Sequence, residues 1–212
     1  MKNLTLIIFY LIVFSISAQE LDGKWLMTKE GDTYTIPENL ILEINSNSLK
    51  YFSFDELQSS IPIKIEHNNI IINQNQTDFV EFINDDRIII KSEGKVSEKD
   101  SLIITEYVRL KETKTKLSAK EIQNLSFKFN WNDEKFKLVF NKELGSPQVM
   151  KMMEKDELTK IRLDKIDSTY FISIFQFGKR ETIIPIKEVS NDKMILYGTA
   201  KKPYEIVGKK ID

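Results

Sequence analysis

The chain contains no cysteine, and among its 212 residues there is one histidine, His67. Without cysteine it forms no disulfide, offers no thiolate to a metal and carries no thiol nucleophile. A Ser-His-Asp arrangement would have to use His67. That residue stands in Glu66-His67-Asn68-Asn69, a polar turn between two apolar runs, where a histidine is ordinarily solvated. Glycine is scarce at 7 residues, and no glycine-rich phosphate loop is present. Nor is there an excess of one charge: 31 Lys and Arg face 32 Asp and Glu, a net charge of −1. Nucleic acid is therefore not the expected partner, since phosphate binding needs a basic excess or patch.

Carboxylates are plentiful but badly placed for catalysis. Asp55-Glu56, Asp85-Asp86 and Asp133-Glu134 are neighbours in turns. Adjacent strand residues point to opposite faces, whereas a glycosidase pair needs two acids facing one another across a gap. None of these groups has the spaced acidic pattern of a calcium loop. The expectation is a protein that is not an enzyme, with no catalytic residues, no cofactor and no metal.

The N-terminus has a distinct composition. Lys2 is followed by an uncharged apolar run from Leu4 to Phe14, and then by Ser15-Ile16-Ser17-Ala18. This is the pattern of a secretory signal peptide, residues 1–18, cut after Ala18. The run is shorter than the ~20 apolar residues that span a bilayer, and no later run reaches that length. A soluble exported protein, periplasmic or extracellular, with no membrane span is expected. Cleavage removes one cation, Lys2, and leaves a net charge of −2.

From residue 19 to 113 the apolar residues recur at period two, the signature of strands. Leu40, Leu42 and Ile44 alternate with Ile41, Glu43 and Asn45, and Ile61, Ile63 and Ile65 with Pro62, Lys64 and Glu66. Turn formers separate the runs at Asn45-Ser46-Asn47, Asn68-Asn69, Asn84-Asp85-Asp86 and Glu93-Gly94. Short strands with no helix between them predict an antiparallel meander, closed as a barrel or folded as a sandwich.

The first stretch after the signal, Leu21-Asp22-Gly23-Lys24-Trp25, and the last strand, Glu106-Tyr107-Val108-Arg109-Leu110, carry a resemblance. Gly23-x-Trp25 opening a meander, with a basic residue closing it, resembles the lipocalins and related calycins. The Tyr-x-Arg-Leu ending is similar to that of small lipocalin-like domains in exported Bacteroidetes proteins. The resemblance covers about residues 21–111. It implies that Trp25 plugs the closed end of a barrel, that Arg109 packs across the indole, and that Gly23, Trp25 and Arg109 are structural.

Residues 114–125 form a linker with a short helix. Ser118-Ala119-Lys120-Glu121 fits a capping box, flanked by Leu117 and Ile122. Strand patterning resumes from 126 to 212, beginning with Phe127, Phe129 and Trp131. This second β-domain reads as a degenerate tandem copy of the first. It lacks Gly-x-Trp and a terminal Arg, and Pro147–Leu158, which includes Met150, Met152 and Met153, has helical spacing. The run Tyr170–Phe177 is apolar on both faces. The fold class expected is all-β: two small antiparallel barrel or meander units joined by a short helix.

Two functions fit. One is a non-catalytic binding protein of the bacterial envelope that takes a small apolar ligand into a barrel. The other is a protein-interaction module (an inhibitor, immunity or envelope assembly factor) with solid cores and an envelope protein as partner. Ligand-contacting residues are not assigned from sequence.

Overall fold

A computed structural model of the chain describes residues 21–31, 40–96, 99–131, 134–140, 160–176, 178–197 and 205–211. The segment read as a signal peptide, residues 1–18, and the helical pattern at Pro147–Leu158 with its methionines lie outside these residues. The described chain is nearly all β and forms two curled antiparallel sheets. Each belongs to a compact unit with its own core, and the units divide between Arg109 and Leu110.

The first unit runs β1 (Gly23–Glu30), β2 (Leu40–Asn45), β3 (Ser48–Ser53), β4 (Glu56–Pro62), β5 (Lys64–Glu66), β6 (Asn69–Asn73), β7 (Gln76–Asn84), β8 (Arg87–Val96) and β9 (Lys99–Leu110). Each strand is set by alternation and ended by a tight turn. The Asn45 side chain accepts from the Ser48 amide at 2.9 Å, and the Asn73 and Asn84 side chains cap their own turns in the same way. His67, in the turn between β5 and β6, has φ +56.

The sheet order is β4-β3-β2-β1-β9-β8-β7-β6-β5. Its two ends are one stretch of chain. β4 pairs with β3, β5 pairs with β6, and only Ile63 separates β4 from β5. The Ile63 amide still donates to Asn47 O at 3.0 Å. The segment thus bonds one neighbour with its first half and the other with its second. Pro62 sits at the switch, where its missing N–H does least harm. Counting β4 and β5 as one bent strand, eight strands pair in sequence and the last returns to the first. The ring of pairings is closed, which removes the sticky edges of an open sheet.

One turn expected from sequence is absent. Glu93-Gly94 does not break the chain, because β8 runs straight through it to Val96. Gly94 is a spacing residue instead: a Cβ there would fall 2.6 Å from Ile103 Cδ1 on β9.

The second unit begins with Lys111–Lys116, whose polar composition suggests a free connector. It is fastened down. The Thr113 hydroxyl donates to Ile186 O at 2.6 Å and accepts from the Tyr170 amide at 2.8 Å. Lys114 exchanges backbone hydrogen bonds with Lys187 and Val189. Helix α1 (Ala119–Gln123) follows, with Ser118 as its cap and the reciprocal Ser118–Glu121 bonds of a capping box.

Then come β10 (Ser126–Trp131), β11 (Glu134–Val139), β12 (Lys160–Ile166), β13 (Thr169–Gln176), β14 (Lys179–Val189), β15 (Lys193–Leu196) and β16 (Ile206–Lys210). Their order is β11-β10-β16-β15-β14-β13-β12. As in the first unit, the final strand pairs with the opening one. Phe127, Phe129 and Leu138 are fully buried in this core, with Ile122 of the helix packed among them. Gly208 faces Phe129 across the β16–β10 pair. A Cβ at Gly208 would meet the ring, with Cε1 at 2.6 Å and Cε2 at 2.7 Å.

Candidate functional site

Gly23, Trp25 and Arg109 meet at one end of the first barrel. Gly23 has φ +135, a conformation that other residues rarely adopt. Trp25 is completely buried, and its indole N–H donates to Leu21 O at 3.0 Å. The Arg109 guanidinium lies 4.1 Å from the Trp25 ring centroid. It also donates through Nη1 to Asp22 O at 2.8 Å and through Nε to Asp85 O at 3.2 Å. One side chain thereby ties the entering chain, the β7–β8 turn and the last strand together. The stacking alone contributes ~0.5–2 kcal/mol. Leu21, Ile44 and Leu49 complete an apolar floor around the indole.

The inward-facing positions are not all apolar. Tyr51 follows Leu49 on β3, Asp78 precedes Val80 on β7, Ser92 follows Ile90 on β8, and Thr105 precedes Tyr107 on β9. Each shares the parity of a core residue two positions away. Asp78 is 5% exposed and Tyr107 6%. The ladder of β3 with β4 slips between Tyr51 and Phe52, a bulge of the kind that re-aims a side chain.

These polar groups form one electrostatic cluster. Burial holds the Asp78 carboxyl above the usual carboxylate range, and a hydrogen bond with Ser92 works against that rise. Burial also pushes the Tyr51 phenol up, and the charge of Asp78 adds to it. The Tyr107 phenol is pushed up most by its burial, then by Tyr51, Glu30 and Asp78, against a hydrogen bond with Thr105. Asp78 Oδ1 is buried with no hydrogen-bond partner. A buried acceptor left unmatched costs about 1–3 kcal/mol, so its presence calls for an explanation.

Chemically, the cluster can accept a hydrogen bond from a guest and present two phenol rings to it. No histidine stands near it: His67 is exposed in its turn. Among the described residues no three His, Cys, Asp or Glu side chains are grouped to hold a metal.

Alternation alone does not reveal Asp78. The series Asp78-Val80-Phe82 and Phe79-Glu81-Ile83 each hold two apolar residues and one acid, so composition cannot choose the inner face. The structure chooses the first: Val80 is fully buried, whereas Phe79 and Ile83 are 45% and 47% exposed. In the second unit, Tyr170–Gln176 is buried on both faces, with Phe171 and Ser173 on one and Ile172 on the other. Ile172 enters the core with Tyr170 and Ile174 against it. Phe175 lies between Arg162 and Arg180, whose guanidinium carbons are 4.6 and 4.9 Å from its ring centroid.

No protein-family model matches the chain, and no curated protein matches it.

Proposed function

We propose that the protein is an exported, non-catalytic binding protein of the bacterial envelope, and that its first unit takes a small, mostly apolar ligand as a lipocalin-like barrel does. The observation that carries this reading is the unpartnered, buried Asp78 Oδ1 on the inner wall of a closed barrel. A wall serving only as a packed core gains nothing from a carboxylate there, and an apolar residue of similar size would be more stable. Ligand sites typically combine an apolar lining with a few placed polar groups. The candidate apolar lining is Leu40, Ile61 and Ile72, half-buried against the barrel core.

The test is titration with N-phenyl-1-naphthylamine, a neutral apolar fluorophore, against the chain from Gln19 onward. Saturable one-to-one enhancement is expected, and Ile61→Trp should abolish it by filling the interior. Absence of saturable enhancement, or enhancement indifferent to Ile61→Trp, would point instead to the outer surface and a protein partner. The Arg162–Phe175–Arg180 stack would then be the first place to look.

A further inference from the structure

We infer that the ligand of the first barrel carries a protonated amine, and that Asp78 is the residue that holds it. The inference rests on the binding reading above and adds the chemical class of the ligand.

The unmatched group is an acceptor, so the guest must bring a donor. Asp78 Oδ1 is buried without a partner, and the hydrogen bond from Ser92 leaves that acceptor position open. The electrostatic neighbours then decide between a neutral and a cationic donor. The groups beside Asp78 are the phenols Tyr51 from β3 and Tyr107 from β9, both held protonated by burial, and Glu30 from β1, which is exposed to solvent. β6 brings apolar Ile70 opposite Asp78, and β8 brings the Ser92 hydroxyl.

Several lysines of the unit are paired with other acids. Lys29 pairs with Glu106 at 3.5 Å, Lys91 with Glu81 at 2.6 Å and Lys50 with Glu43 at 2.9 Å. Arg87 is drawn to Glu106 and Asp86. An ionised Asp78 among neutral phenols and apolar side chains lacks a compensating charge, and a cationic guest would supply it. Charge-assisted hydrogen bonds are also about twice as strong as neutral ones. The Tyr51 and Tyr107 rings add faces that attract an ammonium group.

The floor limits the guest's length. Fully buried Trp25, Ile44 and Leu49 take up part of the interior, so the ligand's apolar body is expected against the half-buried Leu40, Ile61 and Ile72. A small amine with a short aliphatic or aromatic body meets both demands.

The test compares three probes with the same carbon chain, hexylamine, hexanol and hexanoate, by calorimetry on the chain from Gln19 onward. Hexylamine should bind about tenfold or more tighter than hexanol, and hexanoate should bind weakest. In Asp78→Asn, hexylamine affinity should fall to the hexanol level while hexanol is unchanged, with near-ultraviolet circular dichroism checking the fold. Equal binding of amine and alcohol by the unaltered chain would overturn the amine assignment and leave an apolar binding barrel. Hexylamine binding that survives Asp78→Asn in a folded chain would overturn it equally. Failure of all three probes would overturn the binding reading as well.

Discussion

Trp25, Arg109 and Asp78 are held in the same barrel by opposite kinds of energetics. Trp25 is completely buried and has its one donor satisfied. Trp25→Ala should lower stability by ~3–5 kcal/mol in denaturant titration; a near-neutral result would contradict the plug. Arg109→Lys should also destabilise, because an ammonium cannot span Asp22 O and Asp85 O while lying flat on the indole. Combined with Trp25→Ala, the Arg109 change should have a smaller effect than alone, which a double-mutant cycle measures.

Asp78 behaves in the reverse sense. Its carboxyl is held above its ordinary value of 3.8, so the folded chain keeps that proton to higher pH than the unfolded chain does. Its contribution is most favourable below the unfolded value and is lost as pH rises through the raised folded value. Asp78→Asn should therefore stabilise the free protein at about pH 7, with the gain vanishing near about pH 3. Thermal melts across that range read the effect, and a loss of stability at neutral pH would show that the carboxylate is structural. The first two residues were legible in sequence because Gly23-x-Trp25 and Arg109 carry a recognisable pattern. Asp78 was not, because both faces of its strand are equally mixed.

Strand alternation made most elements legible, and the exceptions have physical causes. Gly94 looks like a turn residue, but it lies in β8 because Ile103 occupies the space its side chain would need. The partner switch at Pro62-Ile63 looks like an ordinary strand in sequence, since hydrophobic parity continues from Ile61 through Ile65. Only the pairing shows that one half of this strand belongs to β3 and the other to β6. The short helix was the easiest local feature, because its capping box is written in adjacent residues. In the second unit, the contact of Gly208 with Phe129 gives a local test. Gly208→Val should destabilise by ~1–3 kcal/mol through overpacking, and hydrogen exchange should show the loss of protection centred on β10, β15 and β16. A neutral substitution would mean that the ring moves aside at little cost.

In both units the last strand pairs with the first, but the second unit's sheet ends on β11 and β12, which lie at opposite edges. The units differ in what they place at that closing pair. The first has Trp25 under Arg109, and the second has Phe129 on Gly208. The polar interior cluster belongs to the first unit, while the second has a half-buried Phe175 flanked by two arginines. The proposed ligand site therefore lies in the first unit. Fold class was readable from period-two patterning, but the interior chemistry depends on which parity turns inward, a long-range property of the closed ring.

The most direct measurement is native mass spectrometry of the protein purified gently from its native source. Ligand binding in the first barrel predicts an adduct of roughly a few hundred daltons, lost on denaturation and absent from Asp78→Asn. A bare mass for the unaltered chain under the same gentle conditions would contradict it.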